Sequence, residues 1–178
     1  MARAPPPYRY TPRNRGVPRM GTNGSTMLAP LRQGLPPLDP AHVRYAASCA
    51  LPPRYEAVRS ARAFTRRTLA EWKNDERFDD IALVVSELVT NALRHALPAD
   101  TPRPDDPPVR LHLTACERRL VCAVRDPSEG TPAARPPGDC DAESGRGLFL
   151  VDSFSDAWGW HPLAGQLDGK VVWALFEV

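Results

Sequence analysis

The sequence predicts an α+β fold, a two-layer α/β sandwich with a mixed, mainly antiparallel sheet and helices on one face. Three observations lead there. Two stretches of three-to-four-residue apolar spacing follow one another, two alternating stretches are separated only by Glu117-Arg118, and the chain closes on two more alternating stretches. Strands joined by tight turns pair antiparallel, because parallel pairing needs a crossover of a dozen or more residues. With 178 residues, 42% hydrophobic and 25% charged, the chain suits one globular unit carrying a tail.

The tail comes first. Residues 1–44 hold seven arginines, nine of the 21 prolines and the single acid Asp39. Such a segment buries too little apolar surface to offset its ordering entropy, so it is expected to be a disordered, basic Pro/Arg-rich extension. It could touch nucleic acid or an acidic partner, or be an inert extension upstream of a start at Met20 or Met27. Residues 45–178 carry the net negative remainder, which argues against a nucleic-acid-binding domain.

Val43, Tyr45, Ala47, Cys49 and Leu51 alternate and end at Pro52-Pro53, a half-buried strand. Arg54 to Trp72 places Val58, Ala61, Phe64, Leu69 and Trp72 on one helical face. Asp79 and Asp80 provide an N-cap and first turn for a second helix from Ile81 to about Leu97, ended by Pro98. Residues 98–108 form a proline-rich connection. Val109 to Ala115 alternates as a strand, and the more continuously apolar Leu120–Val124 reads as a central one. Residues 126–146 form a long loop, of a length that is uncommon inside a compact domain unless it is functional. Gly147–Phe154 reads as a short helix, with Ala157–His161 and Val171–Val178 as the last strands.

No apolar run is long enough for a membrane helix, and the N-terminus lacks the apolar segment of a secretory signal. Cys49, Cys116, Cys122 and Cys140 show neither metal-site spacing nor a disulfide framework. A cytoplasmic protein with free thiols is the expectation. Glycine is absent between Gly34 and Gly130, then occurs seven times from Gly130 to Gly169, which marks a stretch where backbone approaches a ligand.

On the second helix Ile81, Val84, Val85, Leu88, Val89 and Ala92 make the apolar stripe. Glu87, Asn91 and His95 stack at i, i+4 and i+8 along its flank. Periodicity alone leaves two readings of that line: a solvated face, or a functional row at the edge of the core.

The string Glu87-Leu88-Val89-Thr90-Asn91-Ala92 resembles the N box of the Bergerat-fold (GHKL) ATPases. Val124-Arg125-Asp126-Pro127-Ser128, then Glu143-Ser144-Gly145-Arg146-Gly147-Leu148, then Trp158-Gly159 and Gly169-Lys170-Val171-Val172-Trp173 resemble, in order, three further family pieces. The closest resemblance is to the stand-alone bacterial branch, the anti-sigma factor serine/threonine kinases and their actinobacterial relatives, and it covers roughly residues 45–178 as a histidine kinase-like ATPase domain.

The resemblance implies ATP and Mg²⁺ as ligands. Asn91 would be the protein ligand to magnesium, a cation satisfied by one amide oxygen, phosphate oxygens and water. Glu87 would accept a proton from an attacking hydroxyl or water. Asp126 would accept from the exocyclic amino group of adenine. Gly145, Arg146 and Gly147 would lie on the phosphates at a helix N-terminus, and His95 near them or merely at the helix end. The implied function is phosphorylation of a small anti-sigma-antagonist partner, with sequestration of a sigma factor, and the resemblance is compatible with a homodimer.

Two departures accompany the match. Ser128 stands where the family has glycine, and Lys170-Val171-Val172 lacks the usual last-strand hydroxyl, so adenine recognition would rest mainly on Asp126. A non-catalytic, nucleotide-gated binding module is the alternative. A nucleic-acid role would rest on the basic tail alone. A histidine kinase is disfavoured because no dimerisation and phosphoacceptor domain precedes residue 45, and a topoisomerase or mismatch-repair role would require a transducer domain.

Overall fold

The structure is a computed structural model that describes residues 42–52, 54, 56–96, 109–128, 130–132, 146–163 and 169–178, with 95 and 96 described by backbone only. The expected tail therefore lies, up to residue 41, outside the described residues, as do the connection at 98–108 and loop residues 133–145. The elements run β1 (Val43–Leu51), α1 (Glu56–Trp72), α2 (Phe78–Ala96), β2 (Val109–Cys116), β3 (Arg119–Asp126), α3 (Arg146–Phe154), β4 (Ala157–Pro162) and β5 (Lys170–Glu177). That is the order the sequence predicts. α2 starts three residues earlier than expected, so Asp79 and Asp80 lie inside its first turn and face the positive end of the helix dipole.

The five strands lie in the order β1-β2-β3-β5-β4, and every pair is antiparallel. β3 is the middle strand, in keeping with its nearly continuous apolar run. Residues paired across strands share a face, so Leu111, Val124 and Val172 point to one side, and His112, Ala123 and Trp173 to the other.

The first side meets the helices. Its Leu113, Leu120, Val124 and Phe176 join Ile81, Val85, Leu88 and Val89 of α2 in one buried core. All six residues of the expected α2 stripe are buried. The other side holds a smaller cluster of Val121, Ala123, Val171, Trp173 and Leu175. There the Trp173 ring lies over Gly159, where a Cβ would come within 2.6 Å of Cζ2. β1 is an edge strand, and Tyr45, expected to face inward, is 47% exposed and stacks on Trp72 at 5.5 Å between ring centroids.

Two arginines tie the helical layer together. Arg62 of α1 donates to the Ala82 carbonyl and to Ser86 Oγ of α2. Arg77, just before α2, reaches Asp80, Asp156, the Phe154 carbonyl and the Glu177 carbonyl, and lies over the Phe176 ring. It thereby joins the start of α2 to the end of α3 and to β5. One multidentate guanidinium satisfies carbonyls at element ends that would otherwise lack partners.

His112 on β2 gives the fold a pH signature. Burial, and then the neighbouring Arg110 and Arg125 charges, hold its imidazole at about 4, against an ordinary 6.5. As pH falls from 6.5 towards 4, the unfolded chain takes up a proton that the folded chain refuses, so stability drops across that window by at most about 3 kcal/mol. Urea unfolding measured from pH 7 to pH 4.5 should show this loss, and His112→Asn should flatten it.

Candidate functional site

The site has two ends, each built by a close backbone approach. The first lies between α2 and α3. Burial of the apolar stripe fixes the rotation of α2 and leaves Glu87 and Asn91, one turn apart, half-buried on its flank. α3 begins at Arg146, and its second residue, Gly147, is set against both side chains. A Cβ at 147 would sit 2.9 Å from Glu87 Oε2 and 3.2 Å from both Asn91 Oδ1 and Nδ2. With those two side chains where they lie, a larger group at 147 would have to displace them. The first turn of α3, whose N–H groups have no partner within the helix, thus converges with a carboxylate and an amide.

Burial pushes the Glu87 carboxyl above its ordinary value, and the Arg94 charge opposes the shift only partly. Arg146 is exposed at the head of α3. His95 lies one turn beyond Asn91 on α2, with a side chain outside the described residues, and Gly145 is outside them as well.

The second end lies where β3 stops and β5 starts. Asp126 and Lys170 are register partners on the helix-facing side of the sheet. Lys170 Nζ donates to Asp126 Oδ1 at 2.9 Å, with side-chain exposures of only 7% and 2%. Ser128 closes the group: its N–H and Oγ donate to the same Oδ1 at 2.9 and 2.8 Å, its carbonyl accepts from Lys170 Nζ at 3.3 Å, and its Oγ touches that ammonium. Gly169, at φ +109°, brings β5 so close that a Cβ would lie 2.1 Å from the Asp126 carbonyl oxygen.

Three of the residues singled out in the sequence are therefore brought together: Glu87, Asn91 and Gly147. Asp126 lies in a separate cluster on the helix-facing side, buried and already engaged by the Lys170 ammonium. Gly169 and Lys170 were not singled out as site residues. One signal could have found Lys170: it is one of only two lysines among 23 basic residues. The other, Lys73, ends α1 in a left-handed turn at φ 54°. Among the described residues no group of three or more His, Cys, Asp or Glu side chains is placed to hold a metal ion. The Asn91 amide oxygen is of the hard type that a divalent cation accepts alongside anion oxygens and water.

Helices on one face of an antiparallel sheet, with a carboxylate–amide row under a glycine-opened helix, define a two-layer ligand-binding α+β domain. The chain belongs to the Histidine kinase-like ATPase domain family, whose profile matches residues 51–175. Among solved structures it is similar to the crystal structure of the RsbU and RsbW domains of Rv1364c from Mycobacterium tuberculosis. The TM-score is 0.54 at 18% identity, over 75% of this chain and 32% of that one. At that identity the likeness concerns the fold. No curated protein matches the chain in sequence. Among the described residues no helix is long and apolar enough to cross a membrane.

The two glycines should respond differently to alanine. In Gly147→Ala the obstacle is the far end of a flexible Glu87 side chain. Stability should change by no more than about 0.5 kcal/mol while the carboxylate is displaced and ligand binding suffers. In Gly169→Ala the obstacle is backbone at a positive φ, so a loss of about 3 kcal/mol or more is expected. Denaturant midpoints of the two variants check the contrast.

Proposed function

We propose that the chain is an ATP-dependent serine/threonine protein kinase of the anti-sigma factor type. It would phosphorylate a small anti-sigma-antagonist-like partner and sequester a sigma factor. The observation that supports this reading is the seating of Gly147 on Glu87 and Asn91, which brings the first turn of α3 against a carboxylate and an amide. The similar structure, which contains an RsbW domain, supports the fold on which the proposal stands.

The chemistry follows from those groups. Phosphoryl transfer needs positioning and charge stabilisation more than covalent participation by the protein. The N–H groups that open α3, favoured by the helix dipole, would hold phosphate oxygens. Magnesium would add positive charge there, and the Asn91 carbonyl oxygen is a fitting ligand of the hard type that cation prefers. The partner's hydroxyl oxygen attacks the terminal phosphorus and the bond to the bridging oxygen breaks. ADP leaves, and the hydroxyl proton passes to the Glu87 carboxylate. A carboxyl held above its ordinary value by burial is a stronger base for that step. Asp126 would receive the adenine amino group.

A second reading, a nucleotide-gated binding module without turnover, draws support from the commitment of Asp126 to Lys170 and Ser128. Turnover separates the two. With ATP and Mg²⁺, and water as acceptor, the wild type should release inorganic phosphate. Glu87→Gln should lower that rate by about 100-fold or more, with ATP affinity by calorimetry unchanged. Asn91→Ala should remove the Mg²⁺ dependence of binding. Nucleotide binding with no phosphate release in the wild type supports the module, and full activity in Glu87→Gln removes Glu87 from the proton's path.

A further inference from the structure

We infer that Lys170 is a second base-reading residue, whose ammonium donates to ring atom N1 of adenine while Asp126 Oδ2 accepts a proton from the 6-amino group. The inference rests on the nucleotide-binding reading proposed above and adds to it a specificity determinant.

The hydrogen bonding of the buried pair is lopsided. Lys170 Nζ, Ser128 N and Ser128 Oγ all donate to Oδ1 of Asp126. Among the described residues, Oδ2 accepts none. A carboxylate held by three donors on one oxygen has a fixed orientation and a second oxygen with its acceptor capacity intact. The ammonium has a reserve as well. Its bond to the Ser128 carbonyl, at 3.3 Å, lies beyond the usual N–H···O range, so that proton is weakly held and can turn to a better acceptor. The third proton faces Ser128 Oγ, which gives its own proton to Oδ1.

The chain also maintains this arrangement against cost. Burying an ion pair contributes little to stability compared with apolar packing, so a pair at 7% and 2% exposure is poorly accounted for as a fold stabiliser. The composition agrees. In a chain whose basic residues are otherwise almost all arginine, a lysine stands at this position. A compact ammonium on a flexible stem fits beside a carboxylate and a carbonyl where a planar five-donor guanidinium does not. The backbone is fixed on both sides, because Gly169 is pressed against the Asp126–Pro127 peptide and Asp126 and Lys170 are register partners.

A free acceptor beside a redeployable donor is the complement of adenine's edge, where the amino group at position 6 donates and N1 accepts. Guanine presents the reverse order, an acceptor at position 6 and a donor at N1. Matching it would require the ammonium and Oδ2 to exchange places, which the paired backbones of β3 and β5 oppose. Adenine selection is thereby divided between two residues and does not fall to Asp126 alone.

The test uses the full chain, calorimetry, and two probes: ATP and 1-deaza-ATP, which keeps the 6-amino group but replaces N1 with C–H. Wild type should bind 1-deaza-ATP about tenfold or more weakly than ATP, as expected for loss of a charge-assisted hydrogen bond. In Lys170→Met that gap should close, with ATP affinity falling to the level of the analogue. Equal affinity of wild type for both nucleotides would overturn the inference and reduce Lys170 to a counter-ion of Asp126. That comparison needs no variant, so it stands even if Lys170→Met fails to fold. Absence of any ATP binding by the wild type would instead overturn the nucleotide reading, and the inference with it.

Discussion

A carboxylate placed at the end of a central strand, 2% exposed, must meet a cation and hydrogen-bond donors or forfeit its charge. Much of the architecture on that side of the molecule follows from how Asp126 is satisfied. Lys170 can reach it only if β5 runs antiparallel beside β3 in the register that pairs the two residues. That register can close only if Gly169 occupies a positive φ and carries no side chain. It also fixes where β4 lies, since β4 pairs along the far side of β5. Arg77 then ties the other end of β5 to the start of α2 and the end of α3. The site at Asp126 and the helical layer are therefore fixed to one strand.

The two ends of the site differ in kind. At β3 and β5 the polar groups are buried and held by strands, with Asp126 engaged through one oxygen, which suits recognition of a flat, hydrogen-bonding group. Between α2 and α3 the polar groups are half-buried and meet the open first turn of a nine-residue helix, which suits an anion and a moving proton. Glycine enables both approaches. At 147 it admits a helix N-terminus to a carboxylate and an amide, and at 169 it admits one strand to the backbone of another.

Much of this was legible in the sequence, and the remainder was hidden for physical reasons. The element order and the α2 stripe follow from local periodicity, and the Glu87–Asn91 row follows from the same helical geometry once the stripe is buried. The convergence of Gly147 on that row came from the resemblance to a family, since no period links residues so far apart. The Asp126–Lys170 pair spans 44 residues and depends on strand order, which single-strand patterns do not encode. In the sequence Ser128 shows only as a residue standing where the family has glycine. In the fold it is a donor that orients Asp126 through both its N–H and its hydroxyl. Tyr45 alternates like an inward residue, yet β1 is an edge strand, and an aromatic there gains more by stacking on Trp72. His95 and Gly145 remain sequence readings, because the His95 side chain and the whole of Gly145 lie outside the described residues.

The most direct test of the account is a crystal structure of the full chain with Mg²⁺ and a non-hydrolysable ATP analogue. The account predicts the adenine edge against Asp126 and Lys170 at the β3–β5 end. It places the phosphates under the first turn of α3, with the terminal phosphorus facing Glu87 and the cation on the Asn91 carbonyl oxygen. A nucleotide bound elsewhere, or a base in that cleft with no contact to Asp126, would contradict it.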